Sequence, residues 1–233
     1  MMELQPFTAE REWTVDGVPV LSAAISVPDP IPATGKIPRR IQRYYQLLCR
    51  SYLHYCETML LPQAETEYRA ALAASTPLPS FRAELNYHIT YHEDHFLSLY
   101  TQSREMMGRQ TLVTRRADTW DLTSGYPVPL SDFFPPRSSW KRQLLKLASE
   151  EIQRQEQAGI SRYHETWSKE LRRRFNSQNY YLTPEGLVFF FPMYAIAPAA
   201  EGIPTFVFPY GQDQQPLSFS SRTPRHKKKP ETD

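Results

Sequence analysis

One stretch of strict alternation constrains the fold more than any other part of the chain. Residues 81–92 read FRAELNYHITYH, in which apolar and polar side chains take turns. This period of two is typical of a half-buried strand, because successive side chains of a strand point to opposite faces of the sheet. FLSLYTQSR and TLVTRRADTWDL follow at short intervals and have the same character. The three segments predict an antiparallel meander.

Helical patterns flank the meander on both sides. Apolar residues recur every three or four positions over residues 41–59, and Pro62 either kinks this helix or opens a second one. A Ser cap precedes a further helix over residues 140–157, and aromatic and Leu residues at four-residue spacing predict another over residues 163–175. The order of elements favours an α+β protein, with an antiparallel β-sheet and helices packed mainly on one face.

The most apolar segment of the chain is LVFFFPMYAIAPAAEGIPTFVFPY, residues 187–210. Its longest run without a charge, Leu187 to Ala200, has 14 residues and contains two prolines. A membrane-spanning helix needs about 20 apolar residues, so no membrane insertion is predicted. We interpret the segment as a buried strand, a corner set by proline, and a last strand over residues 205–210.

Charge is distributed unevenly along the chain. The final residues from Arg222 onward carry five basic and two acidic side chains, which leaves 22 basic and 23 acidic residues in the rest. Such a near-neutral body predicts no nucleic-acid partner. We therefore divide the chain into an N-terminal tail over residues 1–11, one domain over residues 12–212, and a basic, disordered tail over residues 213–233. The first residues have no signal-peptide pattern, which favours a cytoplasmic location.

The sequence contains few candidates for catalytic chemistry. His88, His92 and His95 could form a metal site together with Glu93 and Asp94, but a solvent-exposed hairpin turn explains the same composition. No serine-hydrolase elbow, phosphate-binding loop or dinucleotide fingerprint is present. The only cysteines, Cys49 and Cys56, fall on an apolar helical face, where burial is expected. We predict no catalytic residue, no metal and no cofactor.

Three segments carry a family resemblance. They are VLSAAISVPDP (Val20 to Pro30), ADTWDLTSGYPVPLSDFF (Ala117 to Phe134) and YYLTPEGLVFFFPMYAIAPAAEGIPTFVFPY (Tyr180 to Tyr210). Together they resemble the RsiV-like sensor-domain family, a bacterial domain of unknown function that RsiV-type anti-sigma-V factors share with PdaC-type peptidoglycan deacetylases. The resemblance covers about residues 12–212 and implies an α+β domain with an antiparallel sheet.

The resemblance also sets expectations for function. RsiV-type relatives sense lysozyme by binding it, and catalysis in the deacetylases belongs to a separate domain that has no counterpart here. Relatives often carry a Tyr-Thr-Gly-Gly-Ala-His stretch where this chain has SREMMGRQTLV (Ser103 to Val113). The anti-sigma segment and transmembrane helix of RsiV-type proteins also lack a counterpart, so an anti-sigma role is not predicted.

The favoured hypothesis is a binding or sensor module that is not an enzyme. Its ligand would be a protein, such as a lysozyme, or a peptidoglycan-related component of the cell wall. A proline-rigid corner loses little entropy on binding, so the corner after the apolar strand is the candidate contact. Its proposed binding residues are Tyr194, Ile196, Pro198, Glu201 and Ile203. Two alternatives stay open: the corner is only a structural turn, or the histidines serve a metal-dependent cell-wall hydrolase.

Overall fold

The computed structural model describes residues 2–93 and 95–210, so the predicted basic tail over residues 213–233 lies outside the described residues. The protein is α+β, as predicted, but its strands form two sheets. The larger sheet has the strand order β1-β2-β3-β4-β5-β6, with β1 Glu3–Val15, β2 Val18–Ile31, β3 Phe81–Glu93, β4 Phe96–Met107, β5 Gln110–Asp121 and β6 Tyr126–Pro127. The smaller sheet consists of β7 Tyr180–Thr183, β8 Gly186–Phe190 and β9 Thr205–Pro209.

Two pairs of helices accompany the sheets. Helix α1 spans Lys36–Tyr55 and continues through a π-helical turn, Cys56–Leu60, into α2, Leu61–Ala74. Pro62 lies in the first turn of α2, directly after the π-helical turn, and because it has no N–H it cannot continue the hydrogen-bond ladder there. Helices α3, Trp140–Gln157, and α4, Trp167–Arg174, belong to the second half of the chain. No helix in the described ranges is long and apolar enough to cross a membrane.

Strand β1 corrects the predicted N-terminal tail. It begins at Glu3 and pairs antiparallel with β2 along its whole length, so most of residues 1–11 are strand. Most β1 side chains are exposed, because β1 is an edge strand of the larger sheet. The sequence has little alternation there, and the strand depends on its pairing with β2 rather than on a buried face.

The meander β3-β4-β5 is antiparallel, which confirms the prediction for those strands. Strand β2, however, pairs parallel with β3, from Leu21 opposite Phe81 to Ile25 opposite Leu85. A parallel pair needs a long crossover connection, and the α1–α2 segment supplies it. These two helices cover one face of the larger sheet, where Cys49 and Cys56 are both buried and unpaired, as expected.

The two sheets stack on each other. One face of the smaller sheet places Tyr181, Val188 and Phe190 against Tyr100 and Ala117 of the larger sheet. The backbone N–H of Leu182 also donates to the buried Ser98 hydroxyl at 2.9 Å, and this bond ties β7 to β4. Since α3 and α4 pack on the opposite face of the smaller sheet, each sheet carries its helices on one face only.

Helix α4 is shorter than the sequence predicts. Tyr163 lies before the helix and Phe175 ends it, although both aromatic rings pack against the core that contains Leu171. The N–H of His164 donates to the carbonyl oxygen of Ile196 at 3.0 Å, so the segment before α4 is held by the corner rather than by helical hydrogen bonds. The four-residue spacing identified a common core, not a continuous helix.

Candidate functional site

The predicted corner contributes little exposed apolar surface. Tyr194 is 53% exposed and has a positive φ of 67°, whereas Ile196 is fully buried in the core beneath α3. Ile196 therefore cannot contact a ligand at the surface, which corrects its assignment as a binding residue. Pro198, Glu201 and Ile203 are each half-buried, and Ile203 packs on the cluster between the sheets.

The predicted histidine cluster does not converge. A bulge between Ile89 and Tyr91 shifts the register of β3, so that His88 lies opposite Tyr100 while His92 lies opposite Leu97. Tyr100 and Leu97 point to opposite faces of β4, and the two histidines consequently do so as well. The alternation of residues 81–92 would place both histidines on the same polar face, and the bulge overturns that expectation.

Each histidine has its own surroundings. His88 stacks on Tyr100 with ring centroids 4.9 Å apart, and the Nδ1 of His95 lies 3.4 Å from the Thr123 hydroxyl. The Nε2 of His92 is buried and has no hydrogen-bond partner among residues 2–93 and 95–210, and burial lowers the pKa of His92. Asp94 lies outside the described residues, and within those residues no three His, Cys, Asp or Glu side chains gather as metal ligands.

A wide groove between α3 and α4 contains more charged and polar side chains than either predicted site. Its volume is about 1230 Å³, and its walls come from the first half of α3, the two serines before it, and α4. Four basic side chains line the groove against one acidic side chain. The basic residues are Lys141, Arg142, Lys146 and Arg172, and the acidic one is Glu150.

The cations of the groove are largely unpaired. Lys146 lies 3.6 Å from Glu150 in an exposed i,i+4 pair. In the last turn of α4, Arg173 and Arg174 both bind Glu170, but Arg172 has no acidic partner within 4 Å among the described residues. The groove therefore has a net positive charge that protein carboxylates do not neutralise.

The start of α3 is the most unusual part of the groove. Lys141 and Arg142 lie in its first turn, which contains no acidic residue. Among the described residues the Ser139 hydroxyl at the cap position makes no capping hydrogen bond and instead accepts from the guanidinium of Arg142 at 3.3 Å. A helix N-terminus has a partial positive charge and free N–H groups, so cations there are unfavourable and anions are favourable. In addition, the hydroxyl of Ser138 is buried and has no hydrogen-bond partner in the part of the chain that the structure describes. Such a combination at a helix N-terminus favours an anion.

Two half-buried tryptophans form the apolar part of the groove. Trp140 stacks on Phe134 with ring centroids 5.6 Å apart, and Trp167 begins α4. Neither indole N–H has a hydrogen-bond partner within the described part of the chain, whereas the buried Trp120 donates its N–H to Tyr45 at 2.9 Å. The groove thus offers flat apolar surfaces beside free donors.

The sequence interpretation missed this groove because it used residues 140–157 only to define a helix and did not weigh the charges beside Trp140. One local signal was present. The segment SSWKR places two basic residues directly after a serine cap, where acidic residues are usual. The approach of α4, which closes the groove, has no comparable signal in the sequence.

Comparison with known proteins places the groove inside a recognised segment. Residues 131–211 match the family described as "Protein of unknown function (DUF3298)", and this range contains every groove residue. No curated protein matches the chain.

Two solved structures resemble the fold over almost the entire chain. A member of the DUF3298 family from Bacteroides fragilis has a TM-score of 0.67 and 18% identity, and the alignment covers 93% of this chain and 94% of the other. A DUF3298 family protein from Pseudomonas aeruginosa PAO1 has a TM-score of 0.56 and 13% identity, with 90% and 91% covered. At these identities the likeness concerns the fold.

Proposed function

We propose that this protein is a non-catalytic binding module whose α3–α4 groove recognises an acidic glycan of the cell-wall type. The observation that carries the proposal is the start of α3, where two cations, free helix N–H groups and the unpartnered Ser138 hydroxyl lie together. A carboxylate bound there would receive charge-assisted hydrogen bonds. It would also relieve the repulsion between Lys141, Arg142 and the helix dipole.

The shape of the groove favours an extended ligand. Small-molecule sites usually enclose most of the ligand, whereas this groove is open along two helices and has a volume of about 1230 Å³. Trp140 and Trp167 provide flat, amphipathic surfaces on which sugar rings can stack. The serine hydroxyls and the indole N–H groups can bond to sugar oxygens. Peptidoglycan strands combine sugar rings with carboxylates, and they match both features.

The charge of the groove argues against lysozyme as its ligand. Lysozyme is strongly basic, and a basic partner would meet the net positive charge of the groove, which disfavours docking. A protein partner would instead use the corner, where Tyr194 and Pro198 remain candidate contacts and Glu201 supplies a negative charge. The resemblance to the RsiV-like family supports a ligand at the cell envelope in either case, which is at odds with the cytoplasmic location predicted from the first residues.

The test is a titration of the protein with soluble peptidoglycan fragments by calorimetry, with the same fragments after amidation of their carboxylates. We expect the acidic fragments to bind and the amidated ones to bind about tenfold more weakly, because a hydrogen bond to a charged group contributes about 1.5–3 kcal/mol. Raising the salt concentration should weaken binding of the acidic fragments.

A matched pair of lysine variants controls for general loss of charge. Lys141→Ala removes a cation from the groove, and Lys169→Ala removes one from the first turn of α4 outside it. Only Lys141→Ala should weaken glycan binding. Equal effects of the two variants, or equal binding of acidic and amidated fragments, would contradict the proposal. Binding of a c-type lysozyme without any binding of glycan would replace it with a protein-sensing role.

A further inference from the structure

A second cavity, of about 480 Å³, lies at the junction of the two halves of the chain. Its walls come from α1, β5, the loop before α3, and the segment that leads into β7. The residues that matter for its chemistry are Tyr44, Arg116, Asp118, Val128, Trp140 and Asn179. Trp140 separates this cavity from the α3–α4 groove and lines both. The volume falls in the range typical of small-ligand sites.

Both carboxylate oxygens of Asp118 accept hydrogen bonds from tyrosines of the protein. Its Oδ1 accepts from the hydroxyl of Tyr44 at 2.9 Å and its Oδ2 from that of Tyr45 at 3.2 Å. Trp120 donates in turn to the Tyr45 hydroxyl at 2.9 Å. Burial raises the pKa of Asp118, and the two tyrosine donors oppose that rise. Asp118 is therefore part of the structure and not a free acceptor for a ligand.

Arg116 differs from Asp118 in its exposure and in its partners. It lies two residues before Asp118 on the same face of β5, is exposed, and has no carboxylate within 4 Å among the described residues. Burial raises the pKa of both Tyr44 and Asp118, and the positive charge of the neighbouring Arg116 opposes that rise. Arg116 is thus a cation without a carboxylate partner among the described residues, and Asp118, the acidic residue that lines the same cavity, already accepts from two tyrosines.

Asn179 adds an unused amide to the same cavity. Its backbone N–H donates to Asn176 and its carbonyl oxygen accepts from Phe190, so its position is fixed by the start of β7. Its half-buried side chain, however, has no hydrogen-bond partner in the described ranges. The remaining walls are mixed. Val128, the flanking prolines and Trp140 are apolar, and Ser131, Ser177 and Gln178 are polar.

We propose that this cavity binds a small ligand through a carboxylate, which pairs with Arg116 and the amide of Asn179, while an apolar body packs against Val128 and Trp140. An arginine presents a planar fork that matches a carboxylate, and a neighbouring amide N–H completes the shell. This chemistry has two sources, a free small acid or the C-terminal carboxylate of a peptide. The site does not depend on the glycan proposed for the groove, because Arg116 and Asn179 lie outside it.

The experiment is calorimetric titration of the full chain with two pairs of probes. The first pair is 3-phenylpropionate and its amide; the second is N-acetyl-alanyl-phenylalanine and its C-terminal amide. We expect at least one free acid to bind at millimolar concentration or below, and its amide to bind at least tenfold more weakly. Binding of phenylpropionate alone identifies a small acid as the ligand class, and binding of the peptide alone identifies a peptide terminus.

Variants test whether Arg116 is responsible. Arg116→Gln should weaken the acid at least tenfold, and Arg116→Lys should restore part of the affinity because it keeps the charge. Arg104→Gln is the matched control, since Arg104 is an exposed arginine on the opposite face of the same sheet. A denaturation midpoint close to that of the wild type would show that each variant is folded.

Three outcomes overturn the proposal. They are the absence of acid binding at several millimolar, equal binding of acids and amides, and an affinity that Arg116→Gln leaves unchanged. Asn179→Asp gives an independent reading. Its negative charge would repel a ligand carboxylate, so stronger acid binding in this variant would also contradict the assignment.

Discussion

The two helical faces of this protein treat polar groups in opposite ways. Under α1, tyrosine hydroxyls donate hydrogen bonds to acidic side chains of the larger sheet. Tyr44 and Tyr45 donate to Asp118, and Tyr55 donates to Glu105. Beside α3 and α4, Lys141 and Arg142 lie exposed at the positive end of a helix. The first region satisfies its polar groups internally, as stable cores do. The second leaves its cations without carboxylate partners among the described residues: Arg142 donates only to the Ser139 hydroxyl, and Lys141 lies over the ring of Phe175. Such a region is expected where a ligand completes the site.

The largest test of this contrast compares two tryptophans. Trp120 is 2% exposed and hydrogen-bonded, whereas Trp167 is half-buried at the rim of the groove. We expect Trp120→Ala to lower the free energy of unfolding by about 3–5 kcal/mol, as large core truncations do. Trp167→Ala should cost roughly 1–2 kcal/mol, because it gives up only part of its buried area. Chemical denaturation measures both values. Equal losses would show that Trp167 is a core residue.

The next effect is a pH dependence that originates under α1. Glu105 is 4% exposed, and burial raises its pKa above the usual value of 4.5. The folded state therefore holds its proton at a pH where the unfolded state has lost it, and the buried charge destabilises the protein at neutral pH. Its cost diminishes as the pH falls through the raised pKa toward 4.5.

Glu105→Gln removes the destabilising buried charge and leaves the rest of the hydrogen-bond network in place. The stability of the variant relative to the wild type should be greatest at neutral pH, and it should decline as the pH is lowered from there. Urea denaturation of both proteins between pH 7 and pH 4.5 measures the difference. Glu150→Gln, on the exposed face of α3, is the control and should show no such trend. A difference that grows on acidification would give the pKa shift of Glu105 the opposite sign.

The smallest effect has opposite signs for stability and for binding. Lys141→Glu places an anion in the first turn of α3 and should raise the free energy of unfolding by about 0.3–1 kcal/mol, through the helix dipole. The same variant should abolish binding of acidic glycan fragments, because it removes a cation from the site and adds a repulsive charge. Thermal denaturation and calorimetry on one sample report both. A variant that is less stable and still binds would show that the charge of Lys141 serves the fold.

Local sequence patterns predicted most elements but not the ways in which they meet. The alternation of residues 81–92 identified β3, yet the bulge at Ile89 reversed its faces and separated His88 from His92. Nothing in residues 81–92 marks that bulge, since the alternating pattern continues through it. Likewise, the apolar corner was found as a turn, but Ile196 proved to be core, because only the packing of α3 decides which apolar residues face inward.

By itself, the sequence determined the α+β class, the antiparallel meander, the helices and the corner, because each depends on side-chain periodicity and on proline or glycine within one segment. Tertiary structure alone decided the parallel pairing of β2 with β3, the stacking of two sheets, and the approach of α4 to α3 that opens the groove. It also decided which charges are free. Arg116 and Asp118 are two residues apart on one strand. The tyrosines of α1 donate hydrogen bonds to Asp118, whereas Arg116 stays exposed. Contacts between distant segments depend on the three-dimensional distances between side chains, and periodicity within a segment carries no record of them.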